Sequence, residues 1–131
     1  MVSTGAIEKS LKLTPRFDAA GLLTCIAIDA ASGEVLMLAH MNAEALRRSI
    51  ATRQAWYWSR SRQELWRKGA SSGQVQTIVE MLVDCDQDAL LIKVEVGADG
   101  GACHTGHHSC FYRKVALGGY SADPPALSMN D

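Results

Sequence analysis

The chain has 131 residues, 47% of them hydrophobic, which is enough for one domain with a modest core. A formal net charge of -1 gives no overall attraction for a polyanion and so argues against a nucleic-acid partner. No apolar run approaches the roughly 20 residues of a membrane helix, and no signal-peptide core opens the chain, so the expected setting is cytoplasmic with no membrane partner.

A single domain is expected over 1–131, with residues 1–16 as an arm and 118–131 as a loosely ordered tail containing Gly118, Gly119, Pro124 and Pro125. Leu22 to Ile28 is apolar and partly β-branched, Asp29 to Gly33 has turn composition, and Glu34 to Ala39 is apolar again, which predicts a hairpin. Asn42 is a good N-cap and Met41 before it can pack on Leu46. With Ala45, Leu46 and Ile50 as an apolar stripe, a helix follows there. Gln54 to Ser59 and Glu64 to Lys68 read as aromatic-rich strands around a turn, with Trp56 and Tyr57 in the core. Val75 to Cys85 alternates, but both of its faces are apolar over the middle, predicting a strand that is central or at an interface. Ala89 to Val96 is its expected partner, Gly97, Gly100 and Gly101 form a loop, and Phe111 to Ala116 is a last strand. The total is mostly β with one main helix.

Charge is unevenly spread. Arg47, Arg48, Arg53, Arg60, Arg62, Arg67 and Lys68 face a single nearby acid, Glu64, whereas the stretch from Glu80 to Asp99 is acidic with Lys93 its one base. These could hold the anionic and cationic ends of a substrate–metal complex, or be two ordinary solvated faces.

Within the acidic stretch, Asp84-Cys85-Asp86-Gln87-Asp88 is followed by Cys103-His104-Thr105-Gly106-His107-His108-Ser109-Cys110. Carboxylates suit a hard cation such as magnesium, while thiolates and imidazoles suit zinc. If residues 84–88 are extended, the three aspartates point one way and Cys85 the other. The aspartates alone fit a magnesium site and an acidic turn equally well.

Cys103 and Cys110 are too far apart in sequence for the tight knuckles of structural zinc, and three thiolates would leave a fourth position open, as in catalytic zinc. Cys25, in an apolar strand, reads as a small buried hydrophobe. His104 is placed to act as a general base or to support a ligand. His40 reads as structural or solvent-facing, and His107 and His108 receive no role. Trp58-Ser59-Arg60-Ser61-Arg62 and Trp66-Arg67-Lys68-Gly69-Ala70-Ser71-Ser72-Gly73-Gln74 combine cations, hydroxyls and glycines in a way that suits phosphate.

From about Leu22 to Lys114 these segments together resemble the phosphoribosyl-AMP cyclohydrolases of histidine biosynthesis. The likeness rests on Trp58 to Arg62, Leu65 to Gly69 with Ser72-Gly73, Asp84 to Asp88, and Cys103 to Gly106 with Ser109 to Tyr112. It implies a small intertwined α+β homodimer, with magnesium on Asp84, Asp86 and Asp88. It also implies zinc on Cys85, Cys103 and Cys110, shared between partner chains. The implied reaction is hydrolytic opening of the adenine ring of 1-(5-phosphoribosyl)-AMP at N1–C6. His104 is then the candidate catalytic base, and Arg60, Arg62, Lys68, Ser71, Ser72 and Gly73 the candidate contacts to this small nucleotide substrate.

Two other classes compete. A non-catalytic zinc module contacting nucleic acid would show tight knuckles and a net basic domain. A zinc deaminase of the purine-nucleotide type would show a His-x-Glu pair ahead of Pro-Cys-x-x-Cys, which is absent.

Overall fold

The computed structural model describes residues 4–98, 100–119 and 123–130. Two hairpins and a helix build its centre. Strands β1 (Leu23–Asp29) and β2 (Val35–Met41) pair antiparallel, joined by a turn in which the Asp29 carboxylate accepts from the amides of Ala31 and Ser32 at 2.8 and 3.1 Å. Helix α2 (Ala43–Thr52) begins where the Asn42 side chain accepts from the Ala45 amide at 2.8 Å. It ends at Arg53, whose φ of 60° turns the chain out of the helix. Strands β3 (Trp56–Ser59) and β4 (Glu64–Arg67) form a short hairpin of their own. Strands β5 (Gln76–Val83) and β6 (Ala89–Val96) pair antiparallel, and β6 lies parallel to β1, giving a four-stranded sheet in the order β2-β1-β6-β5.

One sheet face is buried. Leu23, Cys25, Ala27, Leu36, Leu90, Ile92 and Val94 form the core with Ala45 and Leu46 of the helix and Tyr57 of β3. Tyr57 is fully buried, and its hydroxyl is satisfied by donating to Gln76 Oε1 at 2.6 Å; Gln76 Nε2 in turn donates to the Met37 sulfur at 3.2 Å. Cys25 is completely buried, and burial pushes its thiol pKa up to about 12, as expected for a packing residue. Trp56 packs against the same core from a half-buried position.

The other face is open and apolar. Paired residues on neighbouring strands point to the same side, so Leu38, Ile26, Leu91 and Leu82 line up as one row across all four strands. Leu38 and Leu82 at the ends of that row are 47% and 43% exposed, and Ile26 and Leu91 between them are half-buried.

Several expectations change. Strand β5 is an edge strand rather than a central one, with Val79, Leu82 and Val83 exposed, so of its two expected settings only the interface remains open. Ile50 points out to solvent instead of completing the helix's apolar stripe, because β3 packs only the Ala45–Leu46–Ser49 side. The arm contains a short helix α1 (Thr4–Lys9), giving two short helices instead of one. In the tail, β8 (Leu127–Met129) pairs with β7 (Arg113–Val115), while 120–122 and 131 lie outside the described residues, as do 1–3 in the arm and Asp99. No described helix is long and apolar enough to cross a membrane.

Candidate metal and nucleotide site

The candidate side chains gather in two places on the sheet. At one, residues 84–88 form the β5–β6 turn. The segment is curled, not extended, so the expected alternation of aspartates and Cys85 on opposite faces does not occur. The curl itself brings the carboxylates together. Asp84, Asp86 and Asp88 can each offer an oxygen, with all three atoms within 4.8 Å of one another. Asp84 closes the turn, its Oδ1 accepting from the amides of Asp88 and Ala89 at 3.0 and 3.1 Å. Partial desolvation opposes ionisation of Asp84, but its bonds to Asp88 and to the amides of Ala89 and Asp88 prevail and hold its pKa below the usual range. Asp88 takes the opposite consequence: bonded to Asp86 and Asp84, its pKa is raised to about 6. Three carboxylates this close repel one another, and a hard cation fits such a donor set because it removes that repulsion.

At the other, a loop carries the thiols. Ala102 N donates to His108 O at 2.9 Å and Cys103 N to His107 O at 3.2 Å, folding 102–108 back on itself around Gly106, whose φ is +91°. Ser109 Oγ donates to Val35 O and Cys110 N to Leu36 O, both at 2.7 Å, which fastens the loop to β2. The result is that Cys103 and Cys110 lie close enough for each to shift the other's ionisation. Burial opposes the thiolate of Cys103, but the Thr105 hydroxyl (2.9 Å) and amide, Cys110 and Lys68 outweigh it and lower its pKa. Cys110 is pushed up to about 11 by desolvation and by the neighbouring Cys103. A thiolate beside a thiol offers two soft ligands to one ion, and zinc fits that chemistry.

Next to the thiols lies a cleft of about 310 Å³ whose lining includes Arg62, Lys68, Ser71, Ser72 and His104. Four of the six expected substrate residues therefore share one cavity with the expected base. Gly73 shapes the same loop: its amide donates to Gly69 O at 2.9 Å, at a φ of +81°. Gly69 must be glycine, since a Cβ there would stand 2.2 Å from the Val75 nitrogen at a φ of +88°. Lys68 is buried rather than offered to solvent. Its ammonium donates to Ala102 O and lies 5.4 Å from the Trp66 ring centroid, and burial lowers its pKa. Arg60 stands apart, in a shallow hollow with His40, Trp58 and Ser61. His40 is half-buried there, its pKa lowered by desolvation and then by Arg60.

His107 stacks on Tyr112 with centroids 3.8 Å apart, and His108 pairs with Glu34 at 3.2 Å and Asp29 at 3.7 Å. Both histidines brace the thiol loop. Sequence reasoning missed Gln87, which is buried between two of the acids, because no local pattern distinguishes a buried amide from the exposed residues around it.

Cys85 does not join the other thiols. Among the described residues, the aspartates are the one group of at least three side chains able to close on a single ion. Asp84 N bonds Ala89 O, at the start of β6, whereas Cys110 N bonds Leu36 O, which the sheet register sets level with Ile92 and Lys93. Three to four residues of strand, plus the lateral offset from β2 to the β5–β6 turn, separate Cys85 from Cys110 by at least about 10 Å.

A mostly β domain with a thiol pair, a carboxylate trio and a basic cleft has the composition of an enzyme for a phosphorylated small molecule. Comparison with known proteins gives the family. Residues 37–112 match the family model described as phosphoribosyl-AMP cyclohydrolase. Proteins called phosphoribosyl-AMP cyclohydrolase are 64% identical over 116 residues in Nitrobacter hamburgensis (88% of this chain, 78% of that protein). The figures are 66% over 105 residues in Bradyrhizobium sp. strain ORS 278 (80% and 79%) and 57% over 125 in Rhodopseudomonas palustris strain BisB5 (95% and 82%). The chain belongs to the phosphoribosyl-AMP cyclohydrolase family.

Proposed function

We propose that this chain opens the adenine ring of 1-(5-phosphoribosyl)-AMP by hydrolysis at N1–C6, in a metal site assembled from two copies of itself. Phosphoribosyl-AMP cyclohydrolase activity, a hydrolytic step of histidine biosynthesis, goes with the family.

The observation that carries the reading is the separation of Cys85 from the Cys103–Cys110 pair in a chain that also leaves one apolar sheet face open. A second copy covering the row Leu38–Ile26–Leu91–Leu82 would bury that face, and Cys85 of the partner subunit would complete the thiol set. An apolar groove of about 510 Å³ along the β5 edge, lined in part by Leu13, Ile50, Val79 and Val83, opens on the helix side of the sheet and is a surface separate from that row. All four cysteines are free, which suits ligands in a reducing cytoplasm.

Cys103 and Cys110, with Cys85 of the partner subunit, would hold zinc, and Asp84, Asp86 and Asp88 would hold magnesium. Zinc, when bound, supplies Lewis acidity that makes water nucleophilic near neutral pH. N1 is alkylated in this substrate, so C6 is an electrophilic amidine-like carbon. His104, exposed at the cleft, takes the proton from the attacking water and returns it to the departing ring nitrogen. Arg62, with the hydroxyls of Ser71 and Ser72, holds phosphate and so orients the ring, while Gly73, its amide bonded to Gly69 O, shapes the loop that presents them. Lys68 commits one donor to Ala102 and keeps positive charge beside the thiols. Arg60, near His40, would meet a different part of the substrate.

The test is incubation with phosphoribosyl-AMP while following the ultraviolet change as the purine ring opens, for protein stripped of metal and reloaded with zinc alone, magnesium alone or both. Full turnover by metal-free protein would refute the metal assignment.

A further inference from the structure

Gln87 is a long polar residue at the tip of a surface turn, yet it is only 4% exposed. What buries it is the strap of residues 12–16. Gln87 Oε1 accepts from the Thr14 amide at 2.7 Å, its Nε2 donates to Lys12 O at 3.1 Å, and its backbone carbonyl accepts from the Arg16 amide at 2.8 Å. These bonds join positions more than 70 residues apart in sequence. Gln87 also takes a φ of 60°, a left-handed conformation that glycine or asparagine would adopt more readily, and its amide donates to Asp84 O at 3.1 Å. The turn therefore keeps an unfavourable residue at its tip, and that residue spends every polar group on the strap or on the turn. Immediately beyond the strap, Phe17 packs against the core, so the far end is anchored as well. Arg16 itself lines a cleft of about 290 Å³ together with Asp88.

We propose that Gln87 is a positioning residue: it latches residues 12–16 onto the β5–β6 turn, and the latch holds Asp84, Asp86 and Asp88 in the arrangement that takes a divalent cation, with Arg16 at the rim. The inference rests on the magnesium reading above. Gln87 touches neither cation nor substrate; it acts through the shape of the turn. Without the latch the turn is held only by its own short hydrogen bonds, and the three carboxylates, which repel one another, are free to splay. Groups that orient metal ligands from behind typically cost about 10–100-fold in metal affinity when removed.

The test uses the full chain with Gln87→Gly, which keeps the left-handed backbone comfortable while deleting the side chain, and Gln87→Met, which keeps length and volume but no polar atoms. Magnesium is titrated by calorimetry without substrate, and trypsin cleavage after Lys12 and Arg16 is timed. In both variants magnesium binding is expected to weaken roughly tenfold and strap cleavage to quicken by a similar factor, with the melting temperature close to wild type for Gln87→Gly. Magnesium affinity unchanged in both variants, whether or not the strap is cleaved faster, would overturn the inference while leaving the magnesium site standing. Wild-type protein that binds no magnesium would overturn the magnesium reading and this inference with it, even if the latch itself proved real in the cleavage assay.

Discussion

Sharing of the thiol site between copies can be tested by mixing two broken proteins. Cys85→Ser removes the thiol at the acid end of the sheet, and Cys110→Ser removes one at the loop end. Two sulfurs on one zinc lie within about 4.6 Å of each other, twice a zinc–sulfur bond. The sheet holds these two thiols at least about 10 Å apart in one chain, and no rotamer change closes that gap. Each variant alone should therefore be inactive, because both of its sites lack a ligand. After subunit exchange at equal concentrations about half the dimers are mixed, and each mixed dimer has one intact and one doubly broken site, so about a quarter of wild-type activity should return. The assay is ring opening after brief incubation in mild urea and dilution, with zinc measured in the gel-filtered product. Recovery that stays at zero although exchange is verified by differently tagged chains would refute the shared site. So would full activity in a wild-type chain that remains monomeric by light scattering.

Other consequences follow from particular contacts. Leu82→Glu places a charge at the β5 end of the open apolar row; the isolated fold should survive, because Leu82 is already 43% exposed, while dimerisation by light scattering and activity are lost together. Gly69→Ala meets the Val75 backbone at a left-handed φ and should cost at least about 2 kcal/mol in urea unfolding, with the cleft disturbed as well. In metal-free protein, Asp88 has a pKa raised to about 6 against an unfolded value near 3.8, so the folded state holds a proton across that window that the unfolded state releases. The stabilising share from Asp88 is complete below about pH 4 and lost as pH climbs through 6. Asp88→Asn should accordingly match wild-type thermal stability near pH 4 and exceed it above pH 6, and the gain should vanish when magnesium is added; equal stability of the two proteins at pH 7 without metal would contradict the raised pKa. Cys25→Ser should lose about 1–3 kcal/mol by burying an unpaired hydroxyl, yet keep its zinc and most of its turnover.

Much of this protein is legible in the chain alone. Local patterns with a physical cause survive into the structure: the Asn42 cap, the β1–β2 hairpin around Asp29, the β6 run Ala89–Val96, and Cys25 as a core residue. The candidate ligand groups are also visible in the chain, because carboxylates, thiols and basic loops each favour their own kind of ligand whatever the fold. Short pairings such as β7 with β8 are invisible locally, since three exposed residues carry no period. What only the tertiary structure decides is which of these groups meet. Cys85 neighbours Asp84 and Asp86 in sequence, yet the register of a sheet with β1 parallel to β6 sends it to the far end from Cys103 and Cys110. Arg60 and Arg62 part company across one turn, and Lys68 is buried against a carbonyl instead of waiting in solvent. Gln87 looks like a surface residue until a strap more than 70 positions away folds over it. Hydrogen bonding and burial at such distances depend on the whole chain's path, and one-dimensional periodicity records only the few residues on either side.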